Sequence, residues 1–166
     1  MKLEEVIVKY KVAEFSELTE EQKELLLAAE KKLPKAYNPY SKFYVAAALR
    51  TKDGQIVTAN NTENSSYGLT VCAERAVIFA ADAMELRDFT SMAIITRGNN
   101  FDALTPSTSC GACRQVIQEF AERYQMPMEL IYSNTAMDNI WITSNKDMLP
   151  LPFGPDALGI SLDEYR

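Results

Sequence analysis

The residues best suited to chemistry are three cysteines, and all three lie in two short motifs. Cys72 opens the motif Cys72-Ala73-Glu74, while Cys110 and Cys113 form a Cys-x-x-Cys pair. Side chains three positions apart lie on the same side of a helix, so the pair can present both sulfurs to one ion. The chain contains no histidine. A transition metal bound by this protein would therefore be held by thiolates.

A glutamate near the first cysteine indicates a catalytic metal site. Three protein ligands leave the fourth position of a tetrahedral zinc ion open, which is typical of catalytic rather than structural sites. Glu74 could act on a water molecule at that position without being a ligand. Cysteine ligands, a nearby glutamate and a later Cys-x-x-Cys pair form the signature of zinc deaminases, which remove exocyclic amines from nucleobases. If this chain is such an enzyme, Glu74 would be its general acid and base.

Other interpretations of the cysteines remain open. A lone Cys-x-x-Cys pair is also typical of thioredoxin-like redox proteins, although that chemistry uses neither Cys72 nor Glu74. A closed structural zinc site would need a fourth cysteine or histidine, which the chain lacks. Free cysteines can also be ordinary buried residues. A zinc-stabilised scaffold without activity would have no use for Glu74.

Positive charge is expected near the cysteines, because three thiolates give a zinc site a net negative charge. Arg75 follows the first motif directly. Both motifs are also predicted at helix N-termini, where the helix dipole stabilises thiolates. We expect Arg75 to support the thiolates without being a ligand. A surface salt bridge is the alternative role for this residue.

Composition restricts the class of partner. The net charge is −6, whereas phosphate backbones are bound by clustered lysine and arginine. We therefore expect a small-molecule substrate and no nucleic-acid partner. The apolar runs are too short to span a bilayer, and the first residues do not resemble a signal peptide. The expectations are no membrane partner, a cytoplasmic location where thiols stay reduced, and a single domain over residues 1–166.

The elements that must position these motifs alternate between strands and helices. A capping box begins at Thr19, and Asp53-Gly54 indicates a hairpin. Helices are predicted over 19–33, 72–84 and 110–124 with one turn at 147–149, and strands over 6–12, 43–51, 55–59, 91–96, 128–133 and 139–142, with a turn at 97–100. The first strand could equally be an extended arm. This alternation predicts an α/β layered fold around a central sheet.

Several further segments are similar to those of cytidine deaminases of the small, homotetrameric, three-cysteine class. The resemblance extends from about residue 36 to residue 158 and rests on segments 40–49, 61–64, 72–75, 110–115 and 149–155. It implies a three-layer α/β/α sandwich around a mixed, largely five-stranded central sheet. Residues 1–18 have no counterpart in that family, and we expect them to form an N-terminal arm or extra strand. The resemblance also implies one Zn²⁺ per chain, held by Cys72, Cys110 and Cys113. The implied activity is hydrolysis of cytidine or deoxycytidine to uridine or deoxyuridine and ammonia, in pyrimidine salvage.

The resemblance also assigns substrate contacts. Asn61 and Glu63 match the pair that binds the ribose 3′-hydroxyl, and Phe43 matches the aromatic residue that packs on the pyrimidine. Ala73 would donate its backbone N–H to the carbonyl of the base. Phe153 matches an aromatic residue contributed by a neighbouring subunit, which implies a homotetramer with shared active sites.

Four positions depart from the pattern of this family. Ser109 stands where proline usually precedes the paired cysteines, and Tyr44 also replaces a common proline. Gly68 and Thr70 alter the loop before Cys72. Ser109 is a residue type that can cap a helix N-terminus. These departures leave open a second substrate class with the same mechanism, namely a modified cytidine or a blasticidin S-like nucleoside.

Overall fold

The computed structural model describes residues 1–98 and 105–166. Its strands and helices are β1 (Lys11–Ala13), α1 (Glu20–Lys32), β2 (Tyr44–Thr51), β3 (Ile56–Asn60), α2 (Ala73–Ala83), β4 (Phe89–Arg97), α3 (Gly111–Arg123), β5 (Glu129–Asn134), β6 (Ile140–Ser144) and α4 (Asn145–Met148). Of the turn predicted at 97–100, Asn99 and Asn100 lie outside the described residues. The other predicted elements are present, with ends shifted by a few residues.

One mixed sheet forms the middle of the molecule. Its strand order is β1-β6-β5-β4-β2-β3, with β4 and β5 parallel and the other neighbours antiparallel. Among the described residues the sheet therefore has six strands, and the expectation of a largely five-stranded sheet is wrong by one. The additional strand is β1, which pairs with the outer edge of β6. It shares only Lys11 and Val12 with the segment predicted over 6–12, because the residues before Lys11 pair with no strand of the sheet.

Helices cover both faces of the sheet, which confirms the three-layer α/β/α arrangement. Successive side chains of a strand point to opposite faces. The side chains of Ala46 and Ala48 in β2 pack in a cluster with α1. Those of Ala47 and Leu49 pack in a second cluster with α2 and α3. Because both faces are buried, β2 is almost continuously apolar rather than alternating.

Local signals account for several boundaries. The Thr19 hydroxyl accepts a hydrogen bond from the Gln22 N–H at 3.2 Å, and the Gln22 amide oxygen accepts one from the Thr19 N–H at 3.0 Å, which confirms the capping box. Gly54 has a φ of +89° in the β2–β3 turn, a conformation that glycine adopts without strain. No helix in the described parts of the chain is long and apolar enough to cross a membrane.

Candidate metal centre and active site

The three cysteine sulfurs meet between the first turns of two neighbouring helices. Cys72 is the N-cap of α2 and Cys110 is the N-cap of α3, as predicted, while Cys113 lies in the first turn of α3. All three sulfurs lie within 4.8 Å of one another, and those of Cys110 and Cys113 are 3.6 Å apart. A tetrahedral zinc ion with Zn–S bonds of about 2.3 Å would separate its sulfurs by roughly 3.8 Å. The cluster therefore fits one zinc ion.

The environment of the cluster favours a thiolate at Cys72. The pKa of Cys72 is lowered to about 6, because the Cys113 thiol donates a hydrogen bond to its sulfur and the Arg75 guanidinium lies beside it. These contacts outweigh burial and the charge of Glu74, which act in the opposite direction. The same hydrogen bond raises the pKa of Cys113, and burial adds to that effect. A divalent cation would take the place of the proton that these two sulfurs share.

Arg75 lies next to a cysteine rather than on the open surface. Its Nη2 is 3.9 Å from the sulfur of Cys72 and donates a hydrogen bond to the carbonyl of Thr70 at 3.0 Å. The carbonyl contact fixes the guanidinium where its charge acts on the sulfur. The structure thus places Arg75 beside the first cysteine, and its supporting role stays a prediction.

Glu74 is a buried carboxylate with unused hydrogen-bonding capacity. It lies in the first turn of α2, and 5% of its surface is exposed. Within residues 1–98 and 105–166, no group donates a hydrogen bond to its carboxylate. Buried charged groups are costly unless they are paired or hydrogen-bonded. A carboxylate left in this state beside a metal site is suited to binding a water molecule or a ligand.

The segment that contains Asn61 and Glu63 runs beside the first cysteine motif. Thr62, between them, pairs with Val71 through two backbone hydrogen bonds of 2.9 and 3.0 Å. Val71 directly precedes Cys72, and both Asn61 and Glu63 are buried. The structure thus places the segment of these two predicted residues alongside the residue that precedes Cys72.

Asn61 also organises the start of β2, a role that the sequence did not indicate. Its Oδ1 accepts a hydrogen bond from the Val45 N–H at 3.0 Å, and its Nδ2 donates one to the Phe43 carbonyl at 2.9 Å. An amide oxygen has two lone pairs and an amide nitrogen has two protons. Asn61 therefore retains one donor and one acceptor site for a ligand while it holds Phe43.

Glu63 gathers the loop before Phe43 in a similar way. Its carboxylate accepts hydrogen bonds from the backbone N–H groups of Tyr40 at 2.9 Å and Ser41 at 3.2 Å, and from the Tyr67 hydroxyl at 3.4 Å. Burial acts to raise the pKa of Glu63, but these donors outweigh it and hold that pKa below its ordinary value. Glu63 is thus kept ionised as an acceptor at the edge of the site.

The other residues predicted to contact the substrate are Phe43, Ala73 and Phe153. Phe43 lies directly before β2, half-buried, and Ala73 is fully buried at the first position of α2. The N–H of Ala73 has no acceptor within its helix, because the first N–H groups of any helix lack one. Phe153 instead presents 63% of its surface to solvent. Its carbonyl accepts a hydrogen bond from Gln115 at 2.8 Å, which holds this segment beside α3.

Three of the departing residues have identifiable contacts, and that of Thr70 is the hydrogen bond from Arg75 to its carbonyl. The guanidinium of Arg97 lies 4.4 Å from the ring centre of Tyr44. Ser109 does not cap α3, because Cys110 occupies the N-cap position. The Ser109 hydroxyl is instead hydrogen-bonded to Tyr132. The role of Tyr132 could not be predicted, because it depends on a contact between residues 23 positions apart.

Comparison with known proteins shows similarity along most of the chain. The family model for the cytidine and deoxycytidylate deaminase zinc-binding region matches residues 19–127. A cytidine deaminase from Sporosarcina psychrophila is 39% identical over 142 residues, which are 85% of this chain and 98% of that protein. A cytidine deaminase from Halalkalibacterium halodurans is 48% identical over 84 residues, covering 51% of this chain and 60% of that protein. The crystal structure of a cytidine deaminase from Burkholderia pseudomallei superposes with a TM-score of 0.71 at 38% identity, covering 82% of this chain and all of that chain.

Proposed function

This chain belongs to the cytidine and deoxycytidylate deaminase family, and from that membership we propose how its residues carry out zinc-dependent deamination. The enzyme hydrolyses cytidine to uridine and ammonia; we extend the reaction to deoxycytidine and place it in pyrimidine salvage. The assignment of roles depends above all on the environment of Glu74. This residue is a buried carboxylate without a hydrogen-bond donor among the described residues, in the helical turn that follows Cys72.

Cys72, Cys110 and Cys113 would hold the zinc ion, and Arg75 would stabilise the thiolate of Cys72. When bound, zinc supplies the Lewis acidity that makes a water molecule nucleophilic near neutral pH. The Glu74 carboxylate takes a proton from that water and delivers it to the ring nitrogen beside the amino-bearing carbon. Glu74 then takes the remaining proton from the hydroxyl group added to that carbon and passes it to the departing amine, so that ammonia leaves and a carbonyl remains. General acid and base catalysis of this kind typically contributes about 10²–10⁴-fold to the rate.

The neighbouring residues would bind and orient the nucleoside. The N–H of Ala73 points out of the first turn of α2 and would donate to the carbonyl of the base. Phe43 would pack on the ring, while Asn61 and Glu63 would bind the ribose hydroxyl with the donor and acceptor sites that they retain. Since Glu63 is anionic, the sugar is recognised as a hydrogen-bond donor.

The substrate assignment is tested by comparing kcat/KM for cytidine, deoxycytidine, cytosine, 5-methylcytidine, N4-modified cytidines and blasticidin S. Loss of the aminopyrimidine absorbance and release of ammonia are followed together. Cytidine and deoxycytidine should be the best substrates, and free cytosine a poor one because it lacks the sugar that Asn61 and Glu63 bind. Turnover confined to blasticidin S or a modified cytidine would retain the mechanism and refute the proposed substrate.

Replacement of Asn61 should affect both binding and stability. Asn61→Ala leaves the Phe43 carbonyl and the Val45 N–H without their partner, and a lost buried hydrogen bond costs about 1–3 kcal/mol of unfolding free energy. Because Phe43 and the ribose contact are both disturbed, we expect KM for cytidine to rise by about tenfold or more, which corresponds to about 1.4 kcal/mol.

Denaturant unfolding and steady-state kinetics measure the two effects. Asn60→Ala is the matched control, since within the described part of the chain that side chain donates only to the Asn61 carbonyl, at 3.0 Å. An unchanged KM in Asn61→Ala, together with lower stability, would limit Asn61 to a purely structural role.

We also propose that the enzyme is a homotetramer in which Phe153 of one subunit enters the active site of another. The support is the exposure of the Phe153 ring and the hydrogen bond from Gln115 that holds its segment in place. A single domain over residues 1–166 and a cytoplasmic location complete the proposal. The location is supported by three thiols that must stay reduced to bind metal.

Subunit mixing tests the shared site. Phe153→Ala and Glu74→Gln should each be nearly inactive alone. A hybrid assembly contains some sites that combine an intact Glu74 with an intact Phe153 from the other subunit, so co-refolded mixtures should regain activity. Light scattering measures the assembly state in parallel. The shared site would be contradicted if activity did not return although mixed oligomers form. A monomeric enzyme with full activity would contradict it as well.

A further inference from the structure

The residue before the paired cysteines is anchored to the middle of the sheet. Ser109 and Tyr132 are both buried, and the Tyr132 hydroxyl donates a hydrogen bond to the Ser109 Oγ at 3.0 Å. Resting on the zinc site of the proposed function, we propose that Tyr132 and Ser109 are positioning residues. Their hydrogen bond fixes the backbone that enters Cys110 and thereby the place of the Cys110 sulfur.

Cys110 depends on its preceding backbone more than the other two cysteines do. Cys113 is buried within the first turn of α3 and is oriented by that helix. Cys72 is half-buried and is held by Arg75 at its sulfur. Cys110 is exposed and has an extended conformation just outside α3. Its direction is therefore set by the peptide that joins it to Ser109.

Tyr132 is a rigid anchor for that peptide. It lies in the middle of β5, opposite Ile94 of β4 on one side and Trp141 of β6 on the other. None of its surface is exposed. A side chain on a central, doubly paired strand moves little, so its hydroxyl can serve as a reference point for a loop.

Arg114 holds the same loop through other atoms. Its Nε donates to the Ser109 carbonyl at 2.6 Å, and its Nη2 donates to the Thr108 hydroxyl at 3.1 Å. Its Nη1 donates to the carbonyl of Met148 at 3.1 Å. The guanidinium therefore fixes the backbone oxygen of Ser109, while Tyr132 fixes its side chain.

The hydrogen bond between Ser109 and Tyr132 replaces the rigidity that a proline would give at position 109. Proline would restrict φ at this position through its ring, but it has no hydroxyl to accept a hydrogen bond. Ser109 has a free φ, so its conformation has to be restrained by contacts. Loss of the Tyr132 hydroxyl should therefore loosen the Cys110 ligand.

The test is a double-mutant cycle of Ser109→Ala and Tyr132→Phe, read out as zinc release to a chelator. Groups that orient metal ligands typically contribute about 10–100-fold to metal affinity. We expect each single variant to release zinc about tenfold faster than the wild type. The double variant should be no faster than the faster single variant, because both substitutions remove the same hydrogen bond. The thiolate-to-metal absorption of the Co²⁺-substituted protein should also change in all three.

Ser133→Ala is the matched control. Ser133 is equally buried, and its hydroxyl donates to the Asn134 carbonyl at 2.9 Å. This variant should lose a similar amount of thermal stability and release zinc at the wild-type rate. Wild-type zinc release and an unchanged Co²⁺ spectrum in Ser109→Ala and Tyr132→Phe would overturn the positioning role, as would additive effects in the double variant. A wild-type protein that retains no zinc would refute the proposed metal site itself.

Discussion

Glu74→Gln is expected to lower kcat for cytidine by about 10²–10⁴-fold, the usual contribution of a general acid and base. Glutamine has nearly the same shape but cannot accept and return a proton. The loss should appear in kcat more than in KM, because the group acts on protons that move in the transition state. Zinc content should remain at the wild-type level, since Glu74 is not one of the three clustered ligands.

The matching control is Glu119→Gln, an equivalent substitution at an exposed position of α3. It should have the kcat of the wild type. Metal analysis and circular dichroism establish that the Glu74 variant is loaded and folded. A folded, zinc-loaded Glu74→Gln enzyme with at least a tenth of the wild-type kcat would show that another group transfers the proton.

Cys113→Ser is expected to abolish zinc retention and deamination together. Cys113 is fully buried between the sulfurs of Cys72 and Cys110, and a neutral hydroxyl is a far weaker zinc ligand than a thiolate. Stability should fall as well, because a ligand that binds only the folded state stabilises it. At free zinc about 1,000 times Kd the gain is about 4 kcal/mol, or roughly 8–16 °C in Tm for a chain of this size.

Two comparisons separate the metal effect from damage to the core. Chelator-treated wild type should lose activity and the same increment of Tm, and added zinc should restore both. Ala112→Ser places a hydroxyl at the exposed neighbouring position of the same turn and should retain zinc and activity. Full activity and an unchanged Tm in metal-free wild type would contradict a catalytic zinc site.

Local sequence signals were sufficient to predict the metal site. Residue type and spacing identified Cys72, Cys110 and Cys113, and both N-cap positions followed from helices that begin at these motifs. The same holds for α1, whose capping box begins at Thr19. These features depend on residues a few positions apart, so the sequence contains nearly all the information that determines them.

Features that depend on tertiary contacts could not be predicted in the same way. β1 has only three residues, so its strand character comes from pairing with β6 rather than from its own pattern. The Glu63 carboxylate accepts hydrogen bonds from the backbone of Tyr40 and Ser41, and the Ser109 hydroxyl accepts one from Tyr132. These hydrogen bonds join residues that are about 20 positions apart. Those contacts show how loops are held around the metal ligands, and only the folded arrangement reveals them.

Incubation of cytidine with the zinc-loaded enzyme, with uridine and ammonia quantified in the same sample, tests the proposed activity directly. Uridine and ammonia should appear in equal amounts, at a rate that depends on zinc. If neither product formed while the protein was folded and retained one zinc ion per chain, the site would be a zinc centre without cytidine deaminase activity, and the proposed roles of Glu74 and its neighbours would be refuted.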